Sequence, residues 1–224
     1  MRLELGKQVR CTDEVVGELA DLVVDPLKQR VTHLVVKSRH GLDEAHVVPI
    51  DLAEAAAEGS DILLKCTSEE VRRLPHAEEV AFLRLGEAPK SDPDWDVGVR
   101  SPLALPYYQS PALDGYAGGV GQDFGVVYGR VPKGEVEVRR SSSVLAADGN
   151  YVGNVDGFLV DDDHITHFVL ERGHLWGRRE VTVPIGAVAK FESDTVTLSL
   201  SKDEIGDLPS HRVHRWPLLG DKKT

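Results

Sequence analysis

Histidines, an acidic run, a serine triplet, two cysteines and a glycine-rich stretch are the groups in this sequence that could do chemistry. His33 and His167 occupy the same place in two similar segments, an arrangement that would suit a shared metal or an acid–base pair. In an extended strand, however, the residues two positions away share the histidine's face. Those are Val31 and Val35 for His33, and Ile165 and Val169 for His167, so each reads as a packed structural histidine. His40, His46 and His174 lie in or beside the following loops, without the HxxxH or HxE spacing a zinc site uses. Asp161-Asp162-Asp163-His164 lacks the alternate spacing and bend glycine of a calcium loop and reads as a polar hairpin turn. Gly115-Tyr116-Ala117-Gly118-Gly119-Val120-Gly121 is not framed by a strand and a lysine-serine pair, as a phosphate loop would be. Ser141-Ser142-Ser143 has no nucleophile-elbow context. Cys11 and Cys66 have no CxxC spacing and no partner histidine, so they read as structural thiols in a reducing cytoplasm. No catalytic constellation results. A non-enzyme with no metal and no cofactor is expected.

The elements that would position any site are set by an internal repeat. Val31-Thr32-His33-Leu34-Val35-Val36 returns as Ile165-Thr166-His167-Phe168-Val169-Leu170, and Val47-Val48-Pro49-Ile50 as Thr182-Val183-Pro184-Ile185. Upstream, Val16-Gly17 matches Val152-Gly153, and Val23-Val24-Asp25 matches Leu159-Val160-Asp161. Downstream, the stretch from Glu69 to Pro75 matches Asp203 to Pro209. The blocks keep their order at an offset of 134 to 136 residues. Short apolar runs rich in Val, Ile, Thr and Phe predict strands near 8–11, 17–24, 31–37, 45–48 and 61–65, repeated near 143–145, 153–160, 165–171, 180–183 and 195–199. Thr67-x-x-Glu70 and Ser201-x-x-Glu204 predict capping boxes on a closing helical turn, which Leu-Pro then ends in each copy. Strands of this length and spacing favour a small closed barrel, which leaves no exposed edge. The expected organisation is one unit at 1–80, a connecting segment at 81–135, a second unit at 136–210 and a tail at 211–224.

These blocks resemble the PRC-barrel family, which takes its name from the cytoplasmic domain of the photosynthetic reaction centre H subunit and also occurs in a ribosome maturation factor. The resemblance rests on Val16-Gly17 through Asp25, the Val31–Val36 block and Val47-Val48-Pro49-Ile50-Asp51, with their counterparts in the second copy. The second copy departs at Gly157, where the first has Asp21, and at Gly186, where the first has Asp51. The resemblance implies a mainly β chain of two tandem PRC-type barrels, acting as a docking adaptor or scaffold for a protein partner. A second implication is an accessory role in ribosome assembly or RNA processing. The family's membrane-anchored member has a spanning helix ahead of its barrel, and its ribosomal member has a different N-terminal barrel; neither feature is found here.

Charge and hydropathy narrow the partner. Net charge is −11, with −6 in residues 1–80, −2 in 81–135 and −3 in 136–224. An acidic surface repels nucleic acid phosphates. The basic pairs Arg72-Arg73, Arg139-Arg140, Arg178-Arg179 and Lys222-Lys223 are scattered among acids and read as solvated strand ends. Apolar runs stay at a few residues, against about 18 for a membrane span, and the N-terminal residues do not form a secretory signal. A cytoplasmic protein is expected. The connecting segment is rich in Pro, Gly and aromatics, either as a strap laid over a barrel or as a segment that orders on a partner. Trp95, Tyr107, Tyr108 and Tyr116, with Trp216 in the tail, are the candidate partner-binding residues, and association of copies with one another stays open.

Overall fold

The computed structural model describes residues 1–38, 45–54, 61–84, 92–103, 123–173, 179–192 and 194–212. The chain is mainly β. In the first half, β1 (Arg2–Glu4) and β2 (Gln8–Arg10) lead into a long hairpin of β3 (Val15–Asp25) and β4 (Arg30–Lys37). After it come β5 (Ala45–Pro49), a 3-10 turn at Ile50–Leu52, β6 (Ala53–Glu54), β7 (Ile62–Leu64) and α1 (Ser68–Arg72). A three-stranded excursion follows, made of β8 (Glu78–Arg84), β9 (Trp95–Leu103) and β10 (Asp123–Pro132) in the order β8-β10-β9. The second half begins with β11 (Val136–Arg139), β12 (Ser143–Leu145) and a long hairpin of β13 (Tyr151–Asp161) and β14 (His164–Arg172). It continues through β15 (Arg179–Pro184), a 3-10 turn at Ile185–Ala187, β16 (Val188–Glu192), β17 (Thr195–Leu198), α2 (Lys202–Asp207) and β18 (Ser210–Arg212).

The pairings in the two halves match. β2 and β12 run antiparallel to their long hairpins and parallel to β7 and β17 respectively. β5 and β15 add to the outer side of β4 and β14. A glycine makes each hairpin possible: a Cβ on Gly17 would lie 2.0 Å from the Lys37 carbonyl oxygen, and one on Gly153 would lie 2.2 Å from that of Glu171. Contacts that close admit no side chain, which explains the recurrence of Val-Gly. The expected closure is not found among the described residues. Pairing in the first half runs as an open path from β5 to β6, and the 3-10 turn between them bends the chain where a barrel would need another ladder.

The first strand of each half pairs with the other half. β1 lies antiparallel on β13, with Leu3 opposite Phe158, and β11 lies on β3, with Val138 opposite Leu22. The hairpin tips are also joined reciprocally, since Val31 N–H donates to the Asp163 carbonyl and Ile165 N–H to that of Gln29, each at 2.9 Å. Arg30 forms an ion pair with Asp163 at the same junction. One continuous apolar cluster therefore takes Leu3, Leu22 and Leu34 from one half and Val138, Phe158 and Phe168 from the other. No described helix is long and apolar enough to cross a membrane.

Both capping boxes form. Thr67 and Ser201 accept from the backbone of Glu70 and Glu204, whose carboxylates accept in return from the cap N–H at 2.8 Å. Hydrogen bonds from the cap residues hold both carboxyls below their usual pKa. A carboxyl with a depressed folded-state pKa contributes stability that is present above its unfolded value and lost as pH falls through the folded one. Thr67→Ala and Ser201→Ala are expected to lower stability by about 1 kcal/mol each in urea unfolding at pH 7. The difference from wild type should shrink as acid protonates Glu70 and Glu204.

Candidate interaction surfaces

Outside the shared core, the two long hairpins present corresponding outer faces that are finished differently. On the first half this face is apolar. Val23, Val35, Ala45, Val47 and Ala77 form a second buried cluster, with Ala20, Trp95 and Val131 packed on it. Residues that could meet water on neither side of the strand need a cover, and the three-stranded excursion supplies one. Its backbone is tied down where Ala77 N–H donates to the Ala45 carbonyl and Arg130 N–H to that of Ala77, both at 2.8 Å. The Arg130 guanidinium stands 5.1 Å from the centre of the Trp95 ring. Asp92 also pairs with Arg130 at 3.5 Å.

The corresponding face of the second half keeps Leu159 and Val169 but is more polar. Register places Glu180 where the first half has Ala45, and Thr182 where it has Val47. Asp156, on the same hairpin, is 1% exposed. Arg2, delivered from the other half by β1, bonds to Glu180 and lies 3.7 Å from Asp156. Burial works against the Arg2 charge, but the hydrogen bond and charge of Glu180 outweigh it and raise the guanidinium pKa. Among the described residues, Trp95 and Val131 of the excursion pack on the apolar face of the first half.

Trp95, at the start of β9 in the excursion, is thus half-buried against the first half. Removing its ring is expected to cost about 2 kcal/mol, less than a fully buried tryptophan because part of it already meets solvent. Hydrogen exchange of Trp95→Ala should show faster exchange at Ala77 and Arg130, and unchanged exchange there would contradict this docking. Tyr107, Tyr108, Tyr116 and Trp216 lie outside the described residues, as do His40, His174 and the glycine-rich stretch 115–121.

The remaining chemical groups are separated. His33 and His167 each place Nδ1 near the hydroxyl of the preceding threonine, at 3.1 and 3.2 Å, and Glu135 approaches His33 at 3.5 Å. Buried His46 bonds to the Leu74 carbonyl at 3.1 Å and stacks on His76 with ring centres 4.6 Å apart, fastening the end of α1 to β5. Cys11 and Cys66 are buried free thiols in mutual contact. Burial, with Cys66 beside it, pushes the Cys11 thiol up to about 12, where almost no nucleophilic thiolate exists at neutral pH. Ser142 is buried and accepts from Arg139 N–H at 3.0 Å. Among the described residues, no three His, Cys, Asp or Glu side chains cluster where they could hold a metal ion.

Sequence reasoning missed the Arg2, Asp156 and Glu180 network. Arg2 lies more than 150 residues from Asp156 and Glu180, so no local pattern joins them. No protein-family model matches the sequence, and no curated protein matches it.

Proposed function

We propose that this chain is a non-enzymatic cytoplasmic adaptor of the PRC-barrel type, made of two tandem barrel units that present fixed surfaces to a protein partner. The reading is supported most by the reciprocal exchange of β1 and β11, which holds two like units in one orientation. A body locked in this way suits a scaffold better than a reaction that needs units to move apart. The excursion on the first half contributes to the proposed interface: Leu103 and Gly125 are paired partners in the β9–β10 ladder, and the sequence 104–122 that joins the two strands carries Tyr107, Tyr108 and Tyr116. Aromatic side chains give large contact area at low rotamer cost.

Affinity capture from the native cell tests this, comparing the full chain with one in which a short Gly-Ser turn replaces residues 104–122. Loss of a specific captured protein, with unchanged thermal stability, is the expected result. Identical captured sets from both proteins would remove the segment from the interface.

A further inference from the structure

We infer that the second half carries a binding site for a small phosphate-bearing anion, in the cleft between the β14–β15 end of the sheet and α2. The cleft is open to solvent, has a volume of about 510 Å³, within the range of small-molecule sites, and includes the buried Val152 and Val181 in its lining. Arg172, Arg179 and Lys202 stand around it, with Tyr151 at its lip. Among the described residues none of these three cations forms an ion pair within 4 Å, whereas Arg30, Arg72, Arg139 and Lys190 each do.

Their placement concentrates positive charge. Arg172 and Arg179 are direct cross-strand partners, an arrangement that destabilises a sheet when charges are alike. The Arg172 guanidinium reaches over α2 far enough that a Cβ on Gly206 would lie 3.9 Å from it. Lys202, four residues before Gly206, shares that face of the helix. Of the nearby carboxylates, Asp203 and Asp207 are exposed on α2, and two others are committed elsewhere. Glu204 caps Ser201, and Glu180 points to the opposite side of its strand, towards Arg2. Hydrogen bonds from Asn150 and, less, the Lys202 charge hold the Asp148 carboxyl pKa low, and its two oxygens take the Asn150 N–H and amide at 3.2 and 2.8 Å.

The first half shows what this place looks like when no ligand is needed. Ser68 stands where Lys202 does, and the Asp13 carboxylate accepts from its N–H and hydroxyl at 2.9 and 2.8 Å. Arg72, at the position of Gly206, pairs with Glu14 at 2.9 Å. In the first copy the carboxylates bind directly at this place, whereas in the second Asp148 lies near Lys202 without forming an ion pair within 4 Å. A dianionic phosphate would neutralise the opposed arginines and accept several charge-assisted hydrogen bonds. The exposed Tyr151 ring, its hydroxyl held by Asn154 at 2.6 Å, offers a flat surface for the remainder of the ligand.

Calorimetric titration of the full chain with inorganic pyrophosphate at low salt tests the site, with citrate as a carboxylate anion for comparison. Saturable binding is expected, tighter for pyrophosphate than for citrate. Arg172→Gln, Arg179→Gln and Lys202→Gln should each weaken it by about fivefold, while Lys28→Gln, at the far hairpin, should not. Without ligand, the Arg172→Gln and Arg179→Gln proteins should melt no lower than wild type, because a like-charge pair is relieved; this separates lost binding from lost folding. Absence of saturable binding up to about 10 mM pyrophosphate, or equal binding by Lys202→Gln and wild type, would overturn the site. Tighter binding of citrate would overturn its assignment to phosphate.

Discussion

Replacing Arg2 with methionine is expected to lower the stability of the whole chain by about 3 to 5 kcal/mol, as the removal of one partner from a buried ion pair commonly does. The side chain of Arg2 is itself only 21% exposed, and those of its partners Asp156 and Glu180 are 1% and 10% exposed. Methionine fills much of the same volume but leaves the Asp156 and Glu180 carboxylates without this cation in a poorly solvated place. Urea unfolding measures the loss directly. Adding Asp156→Asn and Glu180→Gln to Arg2→Met should recover much of it, because the uncompensated charge is then gone. A loss below about 1 kcal/mol for Arg2→Met would place it among exposed salt bridges, and the network would then not fasten β1 to the second half.

The second large effect is expected from one added methyl group. A Cβ at Gly157 would lie 2.1 Å from the Leu3 carbonyl oxygen and 3.0 Å from the Glu4 Cα, both backbone atoms of β1. No rotamer change relieves such a contact, so either β1 or β13 must move. Leu3 and Leu5, at 0% and 1% exposure, would be drawn from the core with the strand. Gly157→Ala should therefore cost about 3 kcal/mol or more, in the range reserved for core disruption. Hydrogen exchange should show it at Leu5, whose N–H donates to the Asp156 carbonyl at 2.9 Å. Gly149→Ala serves as the comparison, since its φ of +77° strains an alanine but nothing stands within 4 Å. That substitution should cost only about 1 kcal/mol and leave Leu5 protected.

These two residues also mark where the sequence stops being legible. Long strands were readable because their apolar positions cluster and are repeated, and β3, β4, β13 and β14 lie within a few residues of their expected bounds. The capping boxes were readable because the motif is local, four residues long, and occurs twice. β1 and β11 were not readable as partners of the opposite half. Each is short, three or four residues, and its pairing spans more than 100 positions, so no local pattern records it. The departure at Gly157 was visible in the sequence, but its reason is a backbone passing overhead from another part of the chain. The open path of strands has a similar origin, since the 3-10 turn after Pro49 depends on what closes around it.

The basic cleft was hidden for a related reason. Arg172, Arg179 and Lys202 are distributed along some thirty residues, among acids that lower the local charge, so that Arg178-Arg179 reads as a solvated strand end. Folding separates the two signs. It turns Glu180 inward to Arg2 and uses Glu204 in a cap, which leaves the cations together. Trp95 was identifiable as an aromatic in an unusual segment, but only the packed face of Val23, Val35 and Val47 shows what it rests on.

Reciprocal exchange of β1 and β11, which makes two like units one body, is most directly tested by calorimetric unfolding of the intact chain. One transition is expected, with equal calorimetric and van't Hoff enthalpies, and with exchange protection lost together at Leu22 in one half and Phe158 in the other. Two separable transitions, with either half keeping its protection after the other has unfolded, would contradict it.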